Sequence, residues 1–349
     1  MGIESYLEQT RGIVDGVIRS YLPERWDSRY GEWAFGRKGL DLEALNRSFA
    51  EPVWDFLGRG GKRWRPGLFL LITEALGGQV EKVKDFCILP ELAHNGSIII
   101  DDIEDRAELR RGKPCLHKLF GEDTAINAGN FLYFLPLLVF QKNGEVGKEA
   151  LLRAYQIYAE EMIAIHLGQG MDICWHKGQG EPTEAAYLQM VALKTGCLAR
   201  EAGRLAVALA GGSQELEQKL GKVCESIGVA FQIADDCLSV SGEEFQKGKG
   251  FGDDITEGKR SLPVMYTLQK APAHEKQRLL EILGLHTTDP ATIREALELI
   301  KKHGGVEYAR GVSRKVTEEA WKEAEPLLKE SQSKALLREF CGFATERKV

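Results

Sequence analysis

The chain has 349 residues, 43% hydrophobic and 28% charged, which excludes a wholly disordered protein and leaves ample apolar material for a large buried core. Its 46 basic and 52 acidic residues give a net charge of −6, against the basic excess expected of a general nucleic-acid binder. The seven cysteines (Cys87, Cys115, Cys174, Cys197, Cys224, Cys237, Cys341) are odd in number and widely spread, with no Cys-x-x-Cys pair. A disulfide framework or zinc site is not expected, and a reducing compartment fits. The opening Met-Gly-Ile-Glu-Ser-Tyr has no apolar signal-peptide core, and Tyr6 stands where a myristoylation signal needs Ser or Thr. The strongest apolar run, Phe131 to Phe140, is about half of what spans a bilayer. The expectation is a cytoplasmic protein with no stable membrane anchor.

Leu, Ala, Glu and Lys dominate long windows and β-branched alternation is rare, so the chain reads as all-α. With no fixed-period repeat or low-complexity linker, one domain over 1–349 is expected. An amphipathic helix covers 3–21. Residues 22–41 read as an irregular aromatic-rich connection (Trp26, Tyr30, Trp33, Phe35) with no assigned role. A helix over 43–58 ends at Gly58, Gly60-Gly61 opens a loop, and Lys62-Arg63-Trp64-Arg65-Pro66 leads into an apolar helix at 67–76. Next come a helix over 81–106, a basic connection at 107–120, and helices near 122–141, 146–174, 183–211 and 213–242. Glycines at 242, 248, 250, 252 and 258 mark a charged loop, followed by a helix near 260–270 and amphipathic helices from 273 to 345.

The helix over 81–106 carries an apolar run, Ile98-Ile99-Ile100, into Asp101-Asp102-Ile103-Glu104-Asp105, with Arg110-Arg111-Gly112 close behind. Asp101 and Asp105 lie one turn apart on one face, with Asp102 beside them. Such carboxylates repel one another unless a cation sits among them, and an all-oxygen set suits Mg²⁺, which takes substrate phosphates as further ligands. A solvated acidic face is the competing reading, but three isoleucines rarely continue one. Phe231-Gln232-Ile233-Ala234-Asp235-Asp236 repeats the pattern, so two helices could together hold more than one Mg²⁺ on a diphosphate. The Gly-Lys segment at 248–259 suits a lid over phosphate, and Lys62 to Arg65 would supply counter-charge. Metal, cations and an apolar helix face describe a substrate with a diphosphate head and a hydrocarbon tail. Its ionisation leaves a carbocation that needs a dry cavity.

These residues resemble the trans-isoprenyl diphosphate synthases of the polyprenyl synthetase family, in order and spacing, over about 200 residues. The match runs from Gly60-Gly61-Lys62-Arg63-Trp64-Arg65-Pro66 through Asp101 to Asp105, Arg110-Arg111-Gly112, Lys194-Thr195, Phe231-Gln232 and Asp235-Asp236 to Lys249, Asp254 and Glu257-Gly258-Lys259. The resemblance implies a single helical bundle around a deep central cavity, usually a homodimer. It implies head-to-tail condensation of isopentenyl diphosphate onto an allylic diphosphate with release of pyrophosphate, helped by two or three Mg²⁺ ions. Asp101, Asp105 and Asp235 would hold Mg²⁺, supported by Asp102 and Asp236, which also count among the expected metal residues. Arg110, Lys194, Lys259 and Lys249 would grip the allylic diphosphate. Lys62, Arg65, His94 and Arg111 would bind isopentenyl diphosphate. Thr195 and Gln232 would lie beside the reacting carbons, and Gln169 and Asp172 match a further cavity-lining motif.

The second acidic motif of the family usually ends in a third aspartate, and here that position is Ser239. In the family the turn before the first aspartate sets product length. Ala93, Gly96 and Ser97 are small, so the expected product is geranylgeranyl diphosphate or longer, and Phe at Gly96 is expected to shorten it. A terpene cyclase would not need the Lys62, Arg65 and His94 pocket. A non-catalytic partner subunit would not turn over alone.

Overall fold

A computed structural model describes residues 2–241 and 252–345. The fold is all-α. In chain order the helices are α1 (Ile3–Tyr21), α2 (Ser28–Phe35), α3 (Leu42–Leu45), α4 (Glu51–Gly58), α5 (Trp64–Ala75), α6 (Val80–Val83), α7 (Ile88–Glu104), α8 (Leu116–Phe120), α9 (Glu122–Phe134) and α10 (Leu138–Lys142). There follow α11 (Lys148–His176), α12 (Glu184–Val191), α13 (Cys197–Leu209), α14 (Gln214–Ser241), α15 (Asp253–Thr256), α16 (Leu262–Lys270), α17 (Ala273–Leu285), α18 (Pro290–Lys302), α19 (Gly305–Ala324) and α20 (Gln332–Thr345). Among the described residues the β structure is one antiparallel ribbon, β1 (Leu109–Arg110) with β2 (Lys113–Pro114). The chain divides into two compact units. One comprises Met1–Ala159, Glu201–Glu217 and Ser331–Lys334, the other Glu160–Arg200, Gln218–Glu330 and Ala335–Val349.

In the first unit α5 is apolar on nearly every face and buried from Arg65 to Thr73, as a helix hydrophobic all round must be. Leu68, Phe69, Leu71 and Ile72 are fully buried, each stabilising by roughly 1.5–3 kcal/mol at most. α7 and α9 cross where glycines meet. A Cβ at Gly96 would lie 2.7 Å from the Gly129 carbonyl oxygen, and one at Gly129 would lie 2.9 Å from the Ile100 side chain. The helix expected over 81–106 starts only at Ile88, after a 3₁₀ turn at Lys84–Cys87. Pro90 explains this, because it lacks the N–H that a longer helix would bond to Phe86 and is tolerated only in a first turn. Pro136 likewise breaks the helix expected over 122–141.

The aromatic-rich stretch is not irregular. Asp27 caps α2 by accepting the Tyr30 N–H (2.8 Å), and Gly36 ends it in the left-handed region (φ +62°). Asn46 accepts the Trp26 N–H (2.7 Å) and donates to its carbonyl (3.0 Å). The indole then packs on Tyr30, Phe35, Phe49 and Phe131 at centroid distances of 5.2–5.9 Å. The segment is a packing piece that seats on α9.

The second unit has two apolar clusters, one around Val240, Ile255, Leu279, Ile282 and Ile293, the other around Tyr187, Met190, Ile233 and Leu262. Between α12 and α13 the chain makes a π turn, Ala192–Gly196. Such turns cluster at functional sites. It is also a point of close approach. A Cβ at Gly168 on α11 would lie 2.3 Å from the Lys194 nitrogen, and one at Gly228 on α14 would lie 2.8 Å from Gly196 Cα. Glycines thus let α11 and α14 each come backbone-to-backbone with the turn that bears Lys194 and Thr195.

Candidate active site

In the first unit the acidic end of α7 meets the β1–β2 ribbon. Asp102 is only 1% exposed, and its Oδ1 accepts from Arg110 Nε at 2.8 Å and from Arg110 Nη2. Burial pushes its carboxyl up, while the Arg110 bonds pull it down. Asp101 and Asp105 are half-buried and lie one turn apart at the end of α7. The ribbon turns at Arg111 (φ +53°) and Gly112 (φ +75°), with Arg110 paired to Lys113. Two successive positive φ values make a type I′ hairpin, natural for glycine and costly for arginine.

What holds Arg111 there is a network. Arg111 donates to the Gly60 carbonyl and to Asn95 Oδ1 (3.3 Å), and its guanidinium lies over the Phe56 ring. Asn95 Nδ2 in turn donates to Glu91 (2.9 Å to Oε1). Glu91 pairs with Arg63 (2.7 Å), which also binds Asp15 (3.0 Å). Arg59 binds Asp55 and donates to the Arg110 carbonyl (3.3 Å). Arg63, in the middle of the Lys62 to Arg65 run, is therefore structural, whereas Lys62 is exposed and Arg65 is buried, with its guanidinium over the Trp64 ring.

His94 sits within this group. Its burial, together with the charges of Arg65, Arg111, Arg63 and Arg110, holds it well below its ordinary value near 6.5, so it is neutral at physiological pH. Arg111 is itself lowered, by burial and by Arg63, Arg110 and Arg59, against the pull of Glu91. Crowded guanidiniums around a neutral imidazole mark a place that an anion would stabilise.

In the second unit Lys194 pairs with Asp172 of α11 at 2.6 Å. Thr195 Oγ1 donates to Gln232 Oε1 (3.0 Å), and Gln232 Nε2 donates to Asp236 Oδ1 (2.9 Å). The buried Tyr187 hydroxyl donates to Asp236 Oδ2. Asp236 thus has both oxygens engaged; burial raises its carboxyl against the pull of Tyr187, Gln232 and Lys259. Lys259 pairs with Glu257. Gln169 and Asp235 are half-buried. Lys249 lies outside the described residues.

Two groups of expected residues have surroundings that the sequence does not show. Asp102 and Asp236, named among the metal residues, are inward anchors. Each is buried with its carboxylate bound to protein donors, while its neighbour, Asp101 or Asp235, is half-buried. Gly96 is closely packed, because an added Cβ would lie 2.7 Å from the Gly129 carbonyl oxygen, 3.0 Å from Leu132 Cβ and 3.2 Å from the Tyr133 ring of α9. Ala93 is also fully buried, and of the three chain-length positions only Ser97 is half-buried. The sequence reading missed Tyr187, Asn95 and Arg59. For Tyr187 the available signal was its place eight residues before Thr195, but pattern alone cannot show that its hydroxyl reaches Asp236.

Among the described residues no three or more His, Cys, Asp or Glu side chains gather into a ready-made metal cage. The donor set still fits Mg²⁺, which binds through one or two carboxylates and completes its shell with water and substrate phosphate. Asp101 with Asp105, and Asp235, would hold ions that arrive with a diphosphate.

The family model for polyprenyl synthetase matches residues 46–300. A short chain isoprenyl diphosphate synthase of Methanothermobacter thermautotrophicus is 35% identical over 288 residues, covering 82% of this chain and 87% of the relative. A geranylgeranyl pyrophosphate synthase of Macrophomina phaseolina is 36% identical over 250 residues, covering 72% and 74%. The crystal structure of geranylgeranyl pyrophosphate synthetase from Pyrococcus horikoshii superposes with a TM-score of 0.86 at 27% identity, covering 99% of this chain and 98% of that one. No helix among the described residues is long and apolar enough to cross a membrane.

Proposed function

The chain belongs to the polyprenyl synthetase family, and on that premise we propose that it condenses isopentenyl diphosphate head-to-tail with an allylic diphosphate, giving a trans-polyprenyl diphosphate and pyrophosphate. The names of its relatives support a geranylgeranyl-length product. The observation that carries the reading is the split within each Asp-Asp pair, Asp101-Asp102 and Asp235-Asp236. Asp102 and Asp236 are buried and bound by protein donors while Asp101 and Asp235 are half-buried, on helices accompanied by arginine, lysine and histidine side chains able to receive diphosphates.

Arg110, fixed by Asp102, and Lys194 and Lys259 hold the allylic diphosphate, with Lys249 joining them. Lys62, Arg65, Arg111 and neutral His94 hold isopentenyl diphosphate; the imidazole offers a hydrogen bond without adding to the repulsion among the guanidiniums. Asp101, Asp105 and Asp235 would hold Mg²⁺, which would neutralise charge on the departing diphosphate. The allylic C–O bond breaks, its electron pair leaving with pyrophosphate. The Thr195 hydroxyl donates to Gln232, which leaves its own lone pairs for the allylic cation. The isopentenyl double bond attacks C1 of the cation, and the released pyrophosphate takes the proton lost from the adduct.

The test is incubation with Mg²⁺, isopentenyl diphosphate and each allylic primer in turn, followed by product chromatography. A condensed product is expected, lost on chelation with EDTA. Turnover of an allylic diphosphate without isopentenyl diphosphate would instead mark a cyclase. We assign the protein to the cytoplasm, consistent with free thiols at all seven cysteines. We also assign it a homodimeric state. α11 exposes Leu152 (60%), Tyr155 (50%), Ile163 (64%) and Leu167 (58%) at helical spacing, an apolar stripe of the kind a second copy could cover.

A further inference from the structure

Ser239 stands where the family usually has the third aspartate of its second motif, so the second cluster has one carboxylate fewer on α14. The Asp254 N–H donates to Ser239 Oγ at 3.3 Å. Ser239 itself is buried on the same helix that bears Gln232, Asp235 and Asp236. The Lys259 N–H donates to the Asp254 carbonyl at 2.8 Å. A continuous path of two hydrogen bonds therefore runs from α14 through the start of α15 to the backbone of Lys259.

The other side of this turn is set in apolar packing. Ile255 is fully buried with Val240, Leu283 and Ile293. Gly258 (φ +72°) lies so close to His286 and the Leu283 carbonyl that a Cβ there would come within 2.9 Å of both. Thr256 Oγ1 donates to the Thr287 carbonyl (2.9 Å). Those contacts hold the turn to α17 and the loop after it. The Ser239 bond holds it to the acidic helix.

We propose that Ser239 is a positioning residue which, through the Asp254 amide, sets the turn carrying Lys259 against the second acidic cluster. A serine does this without the charge of the usual aspartate. Its neutral hydroxyl accepts the amide without placing a further negative charge beside Asp235, Asp236 and Asp254, where like charges repel. This rests on Lys259 contacting the allylic diphosphate. The consequence should therefore fall on binding of that substrate and spare isopentenyl diphosphate.

The experiment compares the wild-type enzyme with Ser239→Ala and Ser239→Thr, by steady-state kinetics with Mg²⁺ and by amide hydrogen exchange of the segment 252–259. In Ser239→Ala we expect faster exchange in that segment, a KM for the allylic diphosphate raised about fivefold, as loss of one hydrogen bond implies, and an unchanged KM for isopentenyl diphosphate. Ser239→Thr keeps the hydroxyl and should restore both readouts towards wild type. Unchanged exchange in Ser239→Ala overturns the inference, whatever reaction the enzyme performs. So does an equal rise in both KM values, which a general loosening of the fold would give. Faster exchange with an unchanged allylic KM overturns the link to Lys259. A wild-type enzyme that condenses nothing would refute the proposed activity, while the exchange result would still decide the hydrogen bond.

Discussion

At the residue scale, Tyr187 is the side chain whose loss should be most informative. Its hydroxyl and the Gln232 amide share Asp236, and Gln232 in turn receives Thr195. Tyr187→Phe leaves packing intact but removes one donor to a buried carboxylate, freeing Gln232 to reorient. We expect kcat to fall roughly tenfold, the rate equivalent of about 1.4 kcal/mol, with both KM values near wild type, because no diphosphate ligand has moved. Thermal unfolding checks that the fold survives. A fall in substrate binding instead would place Tyr187 in the diphosphate pocket. His94 gives a pH prediction. Its pKa is depressed on folding, so it contributes stability above its ordinary value near 6.5 that is lost as pH falls below it, where the unfolded chain takes up a proton more readily than the half-buried ring among its arginines. Melting temperature should decline below that pH, and His94→Gln, neutral throughout, should flatten the decline. Residue types at both sites were legible because charge in an apolar context is rare. The sorting of Asp101 from Asp102 was not, because adjacent positions on a helix end differ only in which neighbour they meet, and Arg110 reaches Asp102 from eight residues away across a hairpin.

At the scale of elements, sequence periodicity located most helices and missed what punctuates them. Pro90 and Pro136 carried the signal for broken helices, and Asp27 with Gly36 bracketed α2. The Arg111-Gly112 hairpin was hidden because arginine is an unusual choice for positive φ. It is paid for by the bonds from Arg111 to Gly60 and Asn95. The glycine contacts bear on which residue of α7 can set product length. Gly96 is small because α9 lies against it. Gly96→Phe should therefore give misfolded protein, and even Gly96→Ala should cost about 1–3 kcal/mol through overpacking. Ser97 is the half-buried position on the next residue, with its hydroxyl turned to the His94 carbonyl (2.8 Å). Ser97→Phe should fold and shift the product towards shorter chains, read by chromatography of the dephosphorylated alcohols. An unchanged product from a well-folded Ser97→Phe would move the length determinant off α7.

At the scale of the molecule, composition pointed to the all-α class, since the alternation a sheet needs is rare in the sequence. The boundary between the two compact units falls inside α11, α13 and α14, so no composition shift or linker could have announced it. The exposed faces were equally hidden, because periodicity reports that a helix has an apolar stripe and not whether this chain covers it. α11 illustrates the difference. Its Leu, Ile and Tyr residues occur all round, and only burial separates Ala154, Ile157 and Ala164, which are covered, from Leu152, Ile163 and Leu167, which are open. A dimer that covers this face makes a sharp prediction. Ile163→Glu with Leu167→Glu places two charges where water already reaches, so the monomer fold should tolerate them. Buried in an interface, the same carboxylates would have to be desolvated without partners, a cost large enough to dissociate a typical dimer. Light scattering should then give the 38.9 kDa of one chain for the variant and twice that for the wild type. A variant that keeps the doubled mass would show that α11 is not the surface by which two copies meet.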